Sequence, residues 1–117
     1  MIVEYIRYTI AAERRAAFER AYADAAPSLD ASAHCLAYDL ARCAEDPTQY
    51  VLRIEWDSAA GHMDGFRRSP EFRPFFAAVR PYVGDIAEMR HYEPTPVRAR
   101  KADGGTERDA DRGAARG

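Results

Sequence analysis

The sequence predicts an α+β domain in which a four-stranded antiparallel sheet carries helices on one of its faces. Four segments are rich in β-branched and aromatic residues, or alternate between apolar and polar ones, as strands do. Between them lie segments whose apolar residues recur at helical spacing. Their order along the chain is strand, helix, strand, strand, helix pair, strand. This order is the split βαβ arrangement, which places the helices together on one side of the sheet.

The first strand and the first helix are predicted from residue type. Residues 2–10 combine isoleucine, valine, tyrosine and threonine and fit a strand. Residues 12–26 are rich in alanine and fit a helix. One face of that helix carries Phe18, Ala21, Tyr22 and Ala25. Pro27 is expected to end it, because proline disfavours helical backbone at the preceding residue.

Two alternating segments predict a hairpin. Residues 34–43 and 49–57 each alternate between apolar and polar side chains, and the five residues between them form a polar, proline-containing turn. The two strands are therefore expected to pair antiparallel. Their common apolar face is predicted to carry Leu36, Tyr38, Leu40, Leu52, Ile54 and Trp56.

Two helices are predicted after Trp56. Ser58 can cap a first helix, which Gly61 and Gly65 should keep short. Ser69, followed by a proline, resembles the cap and first turn of a second helix that carries several phenylalanines. A last strand is then predicted over residues 84–92.

The domain is predicted to span residues 1–96. From Arg98 onward the chain has no large apolar residue, so it cannot contribute to a core. Residues 97–117 are therefore expected to form a disordered tail of mixed charge. Because the helices should cover only one sheet face, the other face is partly apolar and bare. We expect a second copy of the chain to cover it, forming a homodimer.

Composition argues against several classes of protein. The formal net charge of −2 gives no overall electrostatic basis for binding nucleic acid or an acidic membrane. No apolar run approaches the roughly 18 residues that a membrane span requires. The N-terminus carries an acid at Glu4 and lacks the basic start of a signal peptide. A cytoplasmic protein is the expectation.

A resemblance to a known family adds to this prediction. The segments HCLAYDLARCAEDPTQYVLRIEWDSAAG and FRRSPEFRPFF resemble the antibiotic biosynthesis monooxygenase domain family. The matching residues are Cys35, Leu36, Tyr38, Asp46, Pro47, Trp56, Ser58, Ser69, Pro70 and Phe72. The resemblance covers residues 1 to about 93. It implies a ferredoxin-like subunit of a dimeric α+β barrel, with a cavity between sheet and helices.

The activities that the resemblance implies are varied. They include cofactor-independent oxidation of phenols and quinols by dioxygen, haem degradation, and isomerisation of small signalling molecules. The haem-degrading branch uses an Asn on the first strand, a Trp, and a His on the helix after it. Trp56 matches the Trp, but the Asn position falls near Ile6 or Arg7, and Gly65 replaces the helical His. His62 lies about one turn earlier, where it could still share a helix face.

Oxidation of a phenol without a cofactor needs a base, a group that holds the resulting anion, and a dry pocket. His62 and His91 are the candidate catalytic bases, since histidine titrates near neutral pH. The alternative for both is a structural or surface histidine, and His34 is expected at the surface. No pair of histidines has metal-ligand spacing with a carboxylate, so neither a metal nor another cofactor is predicted.

The candidate substrate-binding residues are mostly aromatic. They are Trp56, Tyr38, Phe66, Phe72, Phe76 and Arg7. The aromatic rings would form the walls of the pocket, with its mouth at Trp56, and Arg7 would bind an anion. The alternatives are that the rings only fill the core, and that Arg7 pairs with a nearby glutamate. The prediction requires that Trp56 and the phenylalanines enclose a cavity.

The sequence therefore predicts a small cofactor-independent monooxygenase that oxidises an aromatic phenol or quinol with dioxygen. The alternative is a non-catalytic binding module of the same fold. Such a module would hold haem, a quinone or another flat ligand, or would serve a redox partner.

Overall fold

The computed structural model describes residues 1–101. The strands are β1 (Ile2–Thr9), β2 (Cys35–Arg42), β3 (Gln49–Trp56) and β4 (Ile86–Tyr92), and the helices are α1 (Arg15–Ala31) and α2 (Phe72–Val79). Shorter helical segments are Ala12–Arg14 and Arg80–Asp85, both 3-10, and Gly61–Phe66, which is π-helical. No helix of the described residues has both the length and the apolar character needed to cross a bilayer. Most of the predicted tail, residues 102–117, lies outside the described residues.

The sheet has the order β2-β3-β1-β4, and each neighbouring pair is antiparallel. The two central strands bury Ile6, Tyr8, Leu52 and Ile54 under α1 and α2, which pack against each other. This confirms the predicted α+β, ferredoxin-like fold with helices on one face. The second subunit expected on the other face stays a prediction.

Helix α1 continues through Pro27, so the prediction that this proline ends the helix is wrong. The residues after it extend the buried face of the helix: Ala25, Ser28 and Leu29 are all buried. Burial of this last turn offsets the hydrogen bond that the proline cannot donate. The helix ends at Ala31, where the Ser32 backbone N–H donates to the Leu29 carbonyl at 3.2 Å.

Replacing Pro27 with alanine should therefore stabilise the protein. The exposed Pro27 ring lies inside a helix, where proline is unfavourable. Alanine restores a backbone donor, and we expect the free energy of unfolding to rise by about 1–2 kcal/mol. Urea denaturation would measure the change, with Pro47→Ala in the β2–β3 turn as a control that should not stabilise. A fall in the stability of Pro27→Ala would contradict this explanation.

The β2 strand contains an irregularity that the sequence pattern did not reveal. Its pairing with β3 shifts register between Cys35 and Ala37, so that Cys35 lies opposite Trp56. As a result Cys35 packs against the core, whereas Leu36 is 56% exposed. The prediction that Leu36 shares the apolar face is wrong. The bulge adds one residue to β2, so simple alternation from Tyr38 and Leu40 no longer holds for the residues before it. Tyr38 keeps its predicted inward face.

The connection from β3 to α2 is partly as predicted. The Ser58 hydroxyl accepts a hydrogen bond from the Gly61 backbone N–H at 2.8 Å, which confirms the cap. Ser69 does not cap the second helix through its side chain. Its hydroxyl donates to the Phe66 carbonyl at 2.6 Å and so closes the preceding segment. Helix α2 begins only at Phe72.

Candidate functional site

A cavity of about 360 Å³ lies between α1 and the strands β2 and β3. Its apolar surface is formed by three leucines, Leu29, Leu40 and Leu52, and by alanines of α1. Its polar residues are Glu19, Tyr22, Tyr38, Asp39, Arg42 and Tyr50. The volume falls within the roughly 300–1,000 Å³ of small-molecule pockets, near the lower limit. This is therefore a candidate site for a small aromatic molecule.

Simple periodicity positions the polar residues of this cavity. Glu19 and Tyr22 are three apart on α1, so they lie on neighbouring positions of one helix face. Tyr38 and Arg42 are separated by an even number of residues on β2 and so share one face of that strand. Tyr50 is buried on the same face of β3 as the core residues.

A charged pair lies at the edge of the cavity. The Glu19 carboxylate accepts a hydrogen bond from Arg42 Nη1 at 2.9 Å and another from the Tyr50 hydroxyl. Both charged side chains are roughly half exposed, so the pair is accessible from solvent. A proton acceptor and a fixed cation thus lie next to an apolar pocket.

Three tyrosines of the cavity keep their protons at neutral pH. Burial raises the pKa of Tyr22 and of Tyr8, whose hydroxyls share a hydrogen bond. Burial, with a hydrogen bond to Asp30 at 2.6 Å, raises the pKa of Tyr38 to about 12. Burial also raises the pKa of Tyr50. The hydroxyls of Tyr38 and Tyr50 already donate to Asp30 and Glu19, so toward a ligand their oxygens serve as hydrogen-bond acceptors.

The space around Trp56 is filled. Trp56 is 1% exposed, and its ring centroid lies 5.0 Å from that of Phe66, which in turn lies 5.5 Å from Phe72. These are ordinary contact distances for packed aromatic rings. The expectation that Trp56 and the phenylalanines enclose a cavity is wrong, because their own rings occupy that space. Tyr38 lines the 360 Å³ cavity, whereas Trp56, Phe66, Phe72 and Phe76 do not.

The two candidate bases come together at this packed end of the sheet, around Glu4. The Trp56 indole N–H donates to Glu4 Oε1 at 3.0 Å, and the His62 ring stacks on Trp56 with centroids 4.7 Å apart. His62 Nε2 lies 3.4 Å from Glu4 Oε1, and His91 Nε2 lies 3.6 Å from Glu4 Oε2. Glu4 and His62 are buried, while the His91 side chain is 39% exposed. Neither histidine lines the cavity.

Burial lowers the pKa of His62, although the Glu4 carboxylate acts in the opposite direction. His62 is therefore neutral at neutral pH. Glu4 was not predicted to belong to a cluster. Its position was informative, because strand parity places this charged residue on the same face as the apolar Ile2 and Ile6.

The alternative interpretation of Arg7 is correct. Its guanidinium forms an ion pair with Glu88 at 3.1 Å, and its side chain is half exposed. Arg7 does not line the cavity. The residues that do supply charge there, Glu19, Asp39 and Arg42, were not predicted. The three-residue spacing between Glu19 and Tyr22 brings Glu19 to the border of the buried face of α1.

His34 explains the two glycines of the π-helical segment. Its Nδ1 lies 3.0 Å from Asp57 Oδ2, and its ring is 40% exposed, which agrees with the predicted surface position. A Cβ atom on Gly65 would overlap the His34 ring, and one on Gly61 would overlap the Asp57 carboxylate. Glycine at both positions therefore leaves room for the His34–Asp57 pair.

The model of the antibiotic biosynthesis monooxygenase family matches residues 1–78. The chain belongs to that family. The resemblance seen in the sequence is thereby confirmed. Three members of the Glu4, Trp56, His62 and His91 cluster lie within the matched residues, and His91 lies beyond them. The lining of the 360 Å³ cavity lies entirely within them.

Comparison with individual proteins agrees with this family assignment. The chain is 28% identical over 76 residues to the uncharacterized protein YczJ of Bacillus subtilis. The aligned residues make up 65% of this chain and 80% of that protein. A candidate antibiotic biosynthesis monooxygenase from Bordetella bronchiseptica is 27% identical, with a TM-score of 0.65 over 80% of this chain and 96% of that one. Another, from Chloroflexus aurantiacus, is 19% identical and has a TM-score of 0.67, covering 84% of this chain and 96% of that one. The latter likeness concerns the fold alone.

Proposed function

We propose that the chain is a small cofactor-independent monooxygenase that oxidises a phenol or quinol of one or two rings with dioxygen. The predicted pocket at Trp56 is filled by its own rings and does not support the proposal. The observation that carries the proposal is a different cavity, between α1 and the hairpin of β2 and β3, where the Glu19–Arg42 pair borders an apolar pocket. Membership of a family named for monooxygenases supports the reaction type. The likeness to the Bordetella bronchiseptica protein supports it further.

The cavity supplies separate places for the two parts of such a substrate. The ring of the substrate lies on Leu40 and Leu52, in the apolar part of the cavity. Its hydroxyl points toward Glu19 and Arg42 at the edge of the pocket. The Tyr38 hydroxyl donates its own proton to Asp30, so its oxygen can accept a hydrogen bond from a second hydroxyl, which a quinol has and a simple phenol lacks. Quinols should accordingly bind more tightly than phenols of the same size.

The chemistry begins with loss of a proton. The Glu19 carboxylate accepts the proton of the substrate hydroxyl, and the Arg42 guanidinium stabilises the resulting anion. The anion passes electrons to dioxygen bound beside it in the apolar part of the pocket. One oxygen atom ends on a ring carbon and the other leaves as water. The substrate supplies all four electrons, so that a hydroquinone and dioxygen give a hydroxyquinone and water.

Oxygen consumption with 1,4-dihydroxynaphthalene and a panel of smaller hydroquinones tests the proposal. Ala23 lines the cavity from an exposed helix position, and Ala23→Trp should fill the cavity. We expect the rate to fall by at least about tenfold, since small displacements of bound substrate are costly. Ala16→Trp, on an exposed position of the same helix outside the cavity, is the matched control and should retain the rate. Equal rates in the two variants, or no turnover by the unaltered chain, would refute the proposal.

A further inference from the structure

We propose that Glu4, His62 and His91 form a binding site for one divalent first-row transition cation. No metal site was predicted here, because the three residues are far apart in the sequence and come from β1, the π-helical segment and β4. The fold brings one carboxylate and two imidazoles to the same end of the sheet. Nothing in the proposed phenol chemistry uses this cluster.

The geometry of the three side chains is close to that of a metal site. Their ligand atoms all lie within 4.8 Å of one another, and Glu4 is 3.4 Å from His62 Nε2 and 3.6 Å from His91 Nε2. Ligands bound to one ion at about 2.0–2.2 Å lie roughly 3–3.5 Å apart. Since the ligand atoms are at most 4.8 Å apart, a small movement of the side chains suffices, and the partly exposed His91 on the edge strand can turn to make it.

The electrostatics of the cluster favour a cation. Glu4 is 4% exposed, and among the described residues its ion-pair partners are the two imidazoles, with no lysine or arginine. A buried carboxylate without a cationic partner is costly. A divalent ion would supply the missing positive charge and would bind the neutral form of both histidines.

Trp56 supports two of the three ligands. Its indole N–H donates to Glu4 Oε1 at 3.0 Å, and its ring plane lies within 11° of the stacked His62 ring. Both contacts fix the orientation of a ligand before any ion arrives, which is the usual role of groups behind the ligands of a metal.

The ligand set identifies the class of ion. Two imidazoles and one carboxylate suit zinc, cobalt, nickel or ferrous iron, whereas calcium and magnesium prefer oxygen ligands. The exposed side of His91 leaves room for water as a further ligand. The site is separate from the cavity, since Leu52 and Trp56 are four residues apart on β3, or about 13 Å.

Calorimetric titration of the metal-free, full-length protein with Zn²⁺ tests the site. We expect one ion per chain at micromolar affinity or better, and titration with Co²⁺ should give visible absorption bands of nitrogen and oxygen ligation. His91→Ala should weaken binding by about 100-fold or more. It removes a partly exposed ligand and should leave the fold intact, as circular dichroism would verify.

Two controls separate this site from other metal-binding side chains. His34→Ala removes a histidine outside the cluster, and the double variant Cys35→Ser with Cys43→Ser removes both thiols; both should bind Zn²⁺ as tightly as the unaltered chain. Glu4→Gln, which keeps the shape of the side chain, should weaken binding as His91→Ala does. Unchanged affinity in His91→Ala, or no binding of Zn²⁺ or Co²⁺ by the unaltered chain, would overturn the proposal. Neither outcome would affect the activity expected from the cavity.

Discussion

Replacing Trp56 with alanine should lower the free energy of unfolding by about 3–5 kcal/mol, as expected for removal of a buried tryptophan. Trp56 is 1% exposed and contacts the rings of Phe66 and His62. Its loss would leave a large cavity and would also remove the hydrogen bond to the buried Glu4. Domains of this size have about 5–15 kcal/mol in total, so the variant should unfold at a far lower urea concentration.

The Trp56→Phe variant separates packing from hydrogen bonding. Phenylalanine keeps much of the ring contact with His62 and Phe66 but cannot donate to Glu4, so the cost should be smaller, about 1–3 kcal/mol. A loss below about 1 kcal/mol in Trp56→Ala would contradict the packed structure of this end of the sheet. It would instead favour an open space around Trp56.

Glu19→Gln should reduce kcat for oxidation of 1,4-dihydroxynaphthalene by about 100-fold or more, the usual contribution of a positioned general base. Glutamine keeps the size of the side chain and can still accept a hydrogen bond from Tyr50 and Arg42, but it no longer takes a proton readily. KM should change much less, because the leucine surface that holds the ring is untouched. Steady-state oxygen uptake measures both constants.

Glu13→Gln is the matched control for this experiment. Glu13 is exposed just before α1 and does not line the cavity, so the same chemical change there should leave kcat unaltered. If Glu19→Gln retained the full kcat, Glu19 would not be the proton acceptor. If its KM rose while kcat stayed constant, the residue would act only in binding.

The fold could be predicted because its determinants are local. The β-branched and aromatic residues of β1, the alternation in β3 and the helical spacing in α1 give the correct element types and their order. Two predictions about single elements were wrong because contacts with other elements determine the outcome. Pro27 is tolerated because burial of the following turn outweighs its local preference, and the bulge after Cys35 is fixed by pairing with β3. Neither effect can be read from residue type alone.

The candidate site was predictable only in part, because its chemistry depends on partners from distant elements. Tyr38 was identified from strand parity and lines the cavity. Glu19 and Arg42 were missed, since their pairing requires α1 to lie across β2. The histidines were singled out by their chemistry, but Glu4, which joins them, becomes significant only once β1, β4 and the π-helical segment are assembled.

A crystal structure of the protein soaked anaerobically with 1,4-dihydroxynaphthalene would locate the substrate directly. We expect its rings against Leu40 and Leu52, one hydroxyl beside Glu19 and Arg42, and the rings of Trp56 and Phe66 still in contact. A ligand bound instead between Trp56 and the phenylalanines, or a cavity that stays without ligand in crystals of an active protein, would contradict the assignment of the cavity between α1 and the hairpin as the site of oxidation.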